Sequence, residues 1–351
     1  MTFASTAMLI FAGALILAIS GTPLARRIAP RLGLIDQPDA RKVHQRPMPR
    51  MGGAAIVVAS LAAIVLFQDR FEFQQLVGIL LGGSFVSLLG ALDDRWGMHP
   101  FVKLGGQFFA AAIPIATGVV VQLFPEPWMN VAASALWIVG ITNSFNLLDN
   151  MDGLSGGICV IAAAFFTVLA SLSGQSYVAA LSAAVLGASL GFLIYNFNPA
   201  TIFMGDSGSL FLGFVLATLA IKLRFPDNVT FVTWMVPVLV LGVPLFDTAL
   251  VVVSRLRRGL NPLTTPGKDH ASHRLVAAGF TPREAVLTLY LAGGAFGLLA
   301  VFVTQASVLE GYVVGIGAAM MCLYALVRFE IQFHSAIRLA DRGNKTDHTT
   351  G

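Results

Sequence analysis

Charge is what this chain most lacks. Only 11% of its 351 residues are Asp, Glu, Lys or Arg, against ~25% in soluble domains. Hydrophobic residues make up 56%, more apolar surface than a water-facing exterior of this size can hide. That excludes an ordinary soluble fold and leaves lipid as the exterior. Cysteine is nearly absent: Cys159 and Cys322 both fall inside apolar runs, which argues against a disulfide framework or a zinc site. No basic residue precedes the first apolar run, TFASTAMLIFAGALILAIS, whereas Arg26, Arg27 and Arg31 follow it. That order predicts a retained membrane helix rather than a cleaved signal peptide. Low-complexity tracts, a separate soluble domain and a clear internal repeat are missing as well.

What is present is a series of long apolar runs. About 20 apolar residues cross a hydrocarbon core as a helix. By that ruler the chain holds about eleven spans, at roughly 4–24, 52–68, 74–92, 104–122, 129–148, 155–172, 177–195, 207–222, 231–252, 284–304 and 309–330. The runs are apolar throughout instead of alternating, which indicates helices and not a barrel. The expected fold is all-α: a polytopic bundle of about 11 transmembrane helices, with its active site in cytoplasmic loops and helix ends. Residues 1–330 form the integral membrane catalytic domain. Residues 331–351 form a hydrophilic cytoplasmic tail, expected to be disordered.

The scarce charge is distributed unevenly. Of the 22 Lys and Arg, all but Arg70, Lys222 and Arg224 fall in connections on one face. Cytoplasmic loops carry the excess of basic residues, so the N-terminus is placed outside and the C-terminus inside the cell. The site then lies on the cytoplasmic face of the plasma (inner) membrane.

The loops on that face carry the chemistry. GALDDRWG sets Asp93 and Asp94 at the end of a span, where charge is cheap; alone, they read as solvated charges. NSFNLLDNMDGLSGG, residues 143–157, adds Asn143, Asn146, Asp149 and Asp152 without one Lys or Arg. A turn explains its glycines but not two carboxylates and two amides lacking cations. NFNPATIFMGDSGSLFLGF contributes Asp206, which by itself reads as a helix cap. Five carboxylates converging on one face repel unless cations sit among them. An oxygen-rich set of this kind suits Mg²⁺, usually held by one or two carboxylates plus substrate phosphates.

Basic loops supply the complement. DQPDARKVHQRPMPRMGG carries Arg41, Lys42, His44, Arg46 and Arg50. SRLRRGLNPLTTPGKDHASHRLVAAGF adds Arg255, Arg257, Arg258, Lys268, His270, His273 and Arg274. Positive-inside topology and headgroup attraction account for many of these. His270 and His273, at i and i+3, can share one helical face, and Arg and His are good donors to a diphosphate. Carboxylates for a hard cation, a cationic loop and a membrane floor together fit phosphoryl transfer between a soluble nucleotide and a lipid phosphate.

At these motifs, taken in order, the chain resembles the polyprenyl-phosphate N-acetylhexosamine-1-phosphate transferases, closest to the branch that makes polyprenyl-diphosphate-GlcNAc. The resemblance runs through DQPDARKVHQRPMPRMGG, LGALDDRWGMHPFVKLGGQ, NSFNLLDNMDGLSGG, NFNPATIFMGDSGSLFLGF and DHASHRL. It implies transfer of GlcNAc-1-phosphate from a UDP-sugar to polyprenyl (undecaprenyl) phosphate, releasing UMP, as a first step of envelope glycan synthesis. It implies catalytic roles for Asp93, Asp94, Asp149 and Asp152, and a Mg²⁺ (or Mn²⁺) held by Asp206 and Asp149. Substrate contacts would come from Lys103, Asn146, Arg41, His44, His270, His273 and Arg274. The implied partners are a UDP-N-acetylhexosamine, polyprenyl phosphate, the lipid bilayer and, as a homodimer, a second copy; nucleic acid is not among them. The chain departs from many relatives at Ser272, where they carry a second histidine, and so lacks one diphosphate donor.

Two other readings compete. A phospho-MurNAc-pentapeptide transferase shares the chemistry, but that branch usually lacks the RKVH…PMPRMGG form of the first loop. A lipid or solute transporter would place polar residues near the midplane on broken helices. Here they sit at span ends on one side, with Asp247 in GVPLFDTALVVV the nearest exception.

Overall fold

The computed structural model describes residues 3–37, 47–66, 73–265 and 267–347. It begins with α1 (Phe3–Ile28), a 3-10 turn (Ala29–Leu32) and a ribbon of β1 (Ile35–Asp36) and β2 (Met48–Pro49). Helices α2 (Gly52–Leu66), α3 (Phe73–Trp96), α4 (Pro100–Ala116), α5 (Pro127–Leu148), α6 (Leu154–Leu172) and α7 (Ser176–Asn196) follow. Next come α8 (Asp206–Lys222), the short α9 (Thr230–Thr233) and α10 (Met235–Val240), and α11 (Gly242–Arg257). The chain ends with α12 (Ala271–Ala277), α13 (Pro282–Val303) and α14 (Val308–Asp347). Apolar runs without internal charge can satisfy their backbone groups in lipid only as helices, and almost no strand forms among the described residues.

Among the described residues seven helices are long and apolar enough to cross a membrane, and up to eight if the bent pair counts as one span. The protein is a multi-pass helical membrane protein. Three details differ from the sequence reading. The run at 231–252 is not one straight helix: Thr230–Val240 and Gly242–Arg257 meet at 74°. Pro237 and Pro244 each stand three residues after a break; neither offers an N–H to the carbonyl four residues back, and each ring blocks a continuous helix. The run at 104–122 is helical only to Ala116, where Pro114, Thr117 and Gly118 (φ 91°) close the helix. Finally, α14 continues through Asp347, since a helix started in an apolar segment gains one hydrogen bond per residue added.

Helix α8 is the axis of the bundle. Every residue from Ser207 to Ile221 is buried, because α2, α3 and α5 pack around it, with α6 and α7 behind them. At the periphery, α14 exposes Leu309, Val313, Ile316 and Met320, as a lipid-facing surface should. Gly90 allows α3 to touch the start of α8: a methyl group there would lie 2.4 Å from the backbone carbonyl carbon of Asp206. Gly90→Ala is therefore expected to lower the thermal midpoint of the purified protein, since overpacking costs about 1–3 kcal/mol. An unchanged midpoint would contradict the contact.

The ribbon is anchored on the loop before α8. The Phe203 N–H donates to the Pro49 carbonyl at 2.8 Å, Gly52 N–H to the Phe203 carbonyl at 3.0 Å, and Gly53 N–H to the Met204 carbonyl at 2.8 Å. These bonds bring the start of α2 and the ribbon to the end of the bundle where α3 and α5 finish and α8 begins.

Candidate active site

Asp94, on the last turn of α3, accepts from the backbone N–H groups of Asp206 at 3.1 Å and Ser207 at 3.3 Å. It is thus Asp94, and not Asp206, that caps α8, where unpaired N–H groups and the positive end of the helix dipole favour a carboxylate. Gly205 permits this approach, with φ 74° and a Cβ position only 2.6 Å from Asp94 Oδ2. The Asp206 side chain is left for other partners. Its carboxylate is ion-paired with Lys103 Nζ and accepts from Asn146 Nδ2 at 3.0 Å. Lys103 also bonds Asn146 Oδ1 at 3.0 Å and Asp93 Oδ2 at 2.8 Å. Asp93 further accepts from the Met98 N–H at 2.6 Å, closing the turn after α3.

The α5–α6 turn places its polar groups differently. Asp152 Oδ2 accepts from Asn198 Nδ2 at 3.1 Å and the Ala200 N–H at 3.0 Å, bracing the loop that contains the cis Asn198–Pro199 peptide. Asn196 Oδ1 accepts from the Gly153 N–H at 3.1 Å, and Arg283 Nε donates to the Asn198 carbonyl at 2.8 Å. Asp149 is unlike its neighbours. Its carboxylate makes no hydrogen bond or ion pair with any other described residue.

A cavity of about 540 Å³ opens over this turn. Asp94, Asp149, Asp152 and Asp206 line it, together with Arg50, Lys268 and His273. Arg50 is held by Asp36 through a 3.0 Å ion pair across the ribbon. Burial, then the charges of Asp206 and Asp94, push the Asp149 carboxyl up to about 8. Burial, then the neighbouring His270 and Lys268, hold the His273 imidazole below its ordinary value.

The last loop is pinned by buried polar contacts. Asp247, 1% exposed on α11, bonds His270 Nδ1 at 2.8 Å and the Ala271 N–H at 2.7 Å. Ser272 Oγ donates to Asn150 Oδ1 at 2.6 Å. Arg274 donates to the Asp269 carbonyl at 2.9 Å and to Glu330 at 2.7 Å, with Phe333 under its guanidinium. Asp269 is itself gripped by Arg255 at 3.0 Å and 3.0 Å.

The residues singled out in the sequence thus fall into distinct positions. Asp94, Asp149, Asp152, Asp206 and His273 share the cavity. Asp93, Lys103 and Asn146 stand behind Asp206 and fix it. His270 and Arg274 are buried in contacts of the protein with itself and do not line the cavity. Arg41 and His44 lie outside the described residues. Sequence reasoning gave no particular role to Arg50, Lys268 or Asn150. The signal for Arg50 was its place beside Gly52 and Gly53, whose N–H groups dock the segment against the α8 loop.

The donor set fits a hard divalent cation. Asp149 is a half-buried carboxylate with no described hydrogen-bond or ion-pair partner, in one cavity with Asp94, Asp152 and Asp206, which raise its proton affinity. A cation among them would remove that cost. Among the described residues no group of three or more His, Cys, Asp or Glu side chains is placed to hold a metal ion by itself. An open set completed by substrate phosphates is how Mg²⁺ is commonly held.

The chain is similar in sequence to known proteins. The profile of glycosyl transferase family 4 matches residues 76–224, the stretch from α3 to the end of α8. A probable undecaprenyl-phosphate N-acetylglucosaminyl 1-phosphate transferase of Bacillus subtilis is 39% identical over 82% of this chain and 82% of its own. A decaprenyl-phosphate N-acetylglucosaminephosphotransferase of Mycolicibacterium smegmatis is 32% identical over 79% of this chain and 77% of its own. An undecaprenyl-phosphate alpha-N-acetylglucosaminyl 1-phosphate transferase of Escherichia coli is 27% identical over 76% of each chain. With such identity along most of its length, and with the matched stretch supplying Asp94, Asp149 and Asp206, the chain belongs to glycosyl transferase family 4.

Proposed function

We propose that this protein transfers GlcNAc-1-phosphate from UDP-GlcNAc to polyprenyl phosphate, leaving polyprenyl-diphosphate-GlcNAc in the membrane and releasing UMP. The observation that carries this is the shared cavity. Carboxylates from the ends of α3, α5 and α8 line it together with cationic residues from the first and last loops. The names of the relatives supply GlcNAc as the sugar and a prenyl phosphate as the acceptor.

In this reading Asp206 and Asp149, with Asp94 beside them, would hold Mg²⁺, which would supply charge stabilisation to the transferring phosphoryl group. Arg50, Lys268 and His273 bind the donor's phosphates. Lys103 and Asn146 keep the Asp206 carboxylate aimed at the cavity. A lipid phosphate oxygen attacks the β-phosphorus, and the bond from that phosphorus to the UMP oxygen breaks. Phosphate monoesters have a second pKa of about 6, so the nucleophile is already largely a dianion at neutral pH. Proton removal contributes little, and positioning is the protein's main task.

The finer topology follows from the same reading. The eleven helical stretches cross or enter the bilayer with the N-terminus outside. The cavity end, to which Arg50, Lys103, Arg255, Arg258 and Lys268 belong, faces the cytoplasm, where basic residues are in excess.

Purified protein given Mg²⁺, UDP-GlcNAc and polyprenyl phosphate should release UMP and form a lipid of the corresponding mass. Competition with UDP-MurNAc-pentapeptide separates the two transferase branches. Absence of UMP with every UDP-N-acetylhexosamine would overturn the reading. His273→Ala should raise KM for UDP-GlcNAc about tenfold or more, the value of one charge-assisted hydrogen bond, while kcat changes little. Unchanged kinetics at limiting donor would remove His273 from the binding wall.

A further inference from the structure

Asp247 is a buried carboxylate in the apolar first half of α11, and it does not line the cavity. A buried carboxylate persists only when its oxygens are satisfied. One loop satisfies both of them: His270 Nδ1 reaches Oδ2 at 2.8 Å, and the Ala271 N–H reaches Oδ1 at 2.7 Å. A ring nitrogen facing a carboxylate carries the proton, which fixes the orientation of the His270 imidazole. The Ala271 N–H is a first-turn donor of α12 with no partner inside that helix, so Asp247 seats the start of α12.

A second contact ties the same turn of α12. Ser272, fully buried, donates to Asn150 at 2.6 Å, and Asn150 is the neighbour of Asp149. Held between these two tethers, α12 sends one side chain to the cavity wall, that of His273. The His273 ring packs edge-on against His270, with centroids 6.1 Å apart. Asp247 therefore reaches the cavity through two intermediaries, a ring and a backbone amide.

We propose that Asp247 is a positioning residue for donor binding: through His270 and the Ala271 amide it holds α12 so that His273 meets the donor's phosphates. The inference rests on the transferase reading given above. Asp247→Asn keeps the size of the side chain but removes its charge: the amide oxygen can still accept from the Ala271 N–H, while the amide N–H faces His270 Nδ1 and meets an acceptor there only if the ring proton moves to Nε2. The charge-assisted tether to His270 is lost in either tautomer.

The test is steady-state kinetics on the full-length protein in detergent, with Asp247→Asn, His273→Ala and the double variant. Asp247→Asn is expected to raise KM for UDP-GlcNAc about tenfold, the worth of one such hydrogen bond, with kcat within about threefold of wild type. The double variant should be no worse than His273→Ala alone, because the two changes act through one contact. Additive effects, or a fall in kcat at constant KM, would overturn the proposal. If Asp247→Asn does not fold, Asp247→Glu takes its place. It keeps the charge but displaces both contacts by a methylene, and a wild-type KM there overturns the proposal too. Wild-type protein that releases no UMP would sink the transferase reading instead. Calorimetric binding of UDP-GlcNAc then decides: about tenfold weaker in Asp247→Asn supports the positioning role, and equal affinity ends it.

Discussion

Asp206→Asn is expected to cut UMP release by about 10²–10³-fold, the usual loss when one electrostatic contact to the transition state is removed. The change is isosteric. Asn146 Nδ2, now 3.0 Å from Asp206 Oδ1, retains an oxygen to donate to, but the new amide N–H then faces Lys103 Nζ, which loses its ion pair with Asp206 and retains Asp93 at 2.8 Å. What disappears is a negative charge at the mouth of the cavity, on the first residue of α8. Loss of the Lys103 ion pair should lower the thermal midpoint, so activity is compared at a temperature where the variant remains folded, which separates loss of chemistry from loss of fold. Turnover within about threefold of wild type at ordinary Mg²⁺, on the scale where 1.4 kcal/mol is tenfold, would remove Asp206 from the reaction.

Asp149→Asn is expected to have opposite effects on activity and on stability. Activity should fall as steeply as for Asp206→Asn, because Asp149 is the cavity carboxylate without a described protein partner. Stability should respond the other way when no divalent cation is present. Burial, then Asp206 and Asp94, push the Asp149 carboxyl from its ordinary 3.8 up to about 8. An acid with a raised folded-state pKa takes up a proton on folding. Its contribution to stability is therefore fully present below about pH 4 and is lost as pH rises to about 8. The amide does not titrate, so the variant lacks that slope. In chelator at pH 8 it should unfold at a higher temperature than wild type, and near pH 4 the difference should vanish. Thermal unfolding across that range checks the claim, and a variant less stable than wild type at pH 8 would contradict it.

Much of the fold was legible because lipid makes the rules simple. Apolar runs of span length must be helical, and each expected run contains a helix. The errors came at prolines and glycines inside those runs. Pro237 and Pro244 split one apparent span, since composition registers their apolar character and not their missing N–H. Gly118 ended another early.

The site was legible as a set of residue types, because paired carboxylates and amides in loops without cations have few structural uses. Their division of labour was not. Asp93 and Asp94 are adjacent in sequence, yet a helical step of about 100° sends one to Lys103 and the other to the α8 N-terminus. The capping role that the sequence assigned to Asp206 belongs to Asp94, from 112 residues earlier, a distance no local pattern encodes. Arg274 looked like a diphosphate donor by type. Glu330, far along the chain on α14, claims it instead.

The central claim is that carboxylates from α3, α5 and α8 meet around one hard cation. Electron paramagnetic resonance of Mn²⁺ added to the purified protein, without substrate, tests it most directly. The account predicts one bound Mn²⁺ per chain, displaced by Mg²⁺ and weakened at least about tenfold by Asp94→Asn, Asp149→Asn or Asp206→Asn, in line with loss of a ligand or its support. Mn²⁺ binding that is absent in the wild type, or undiminished in all three variants, would contradict it.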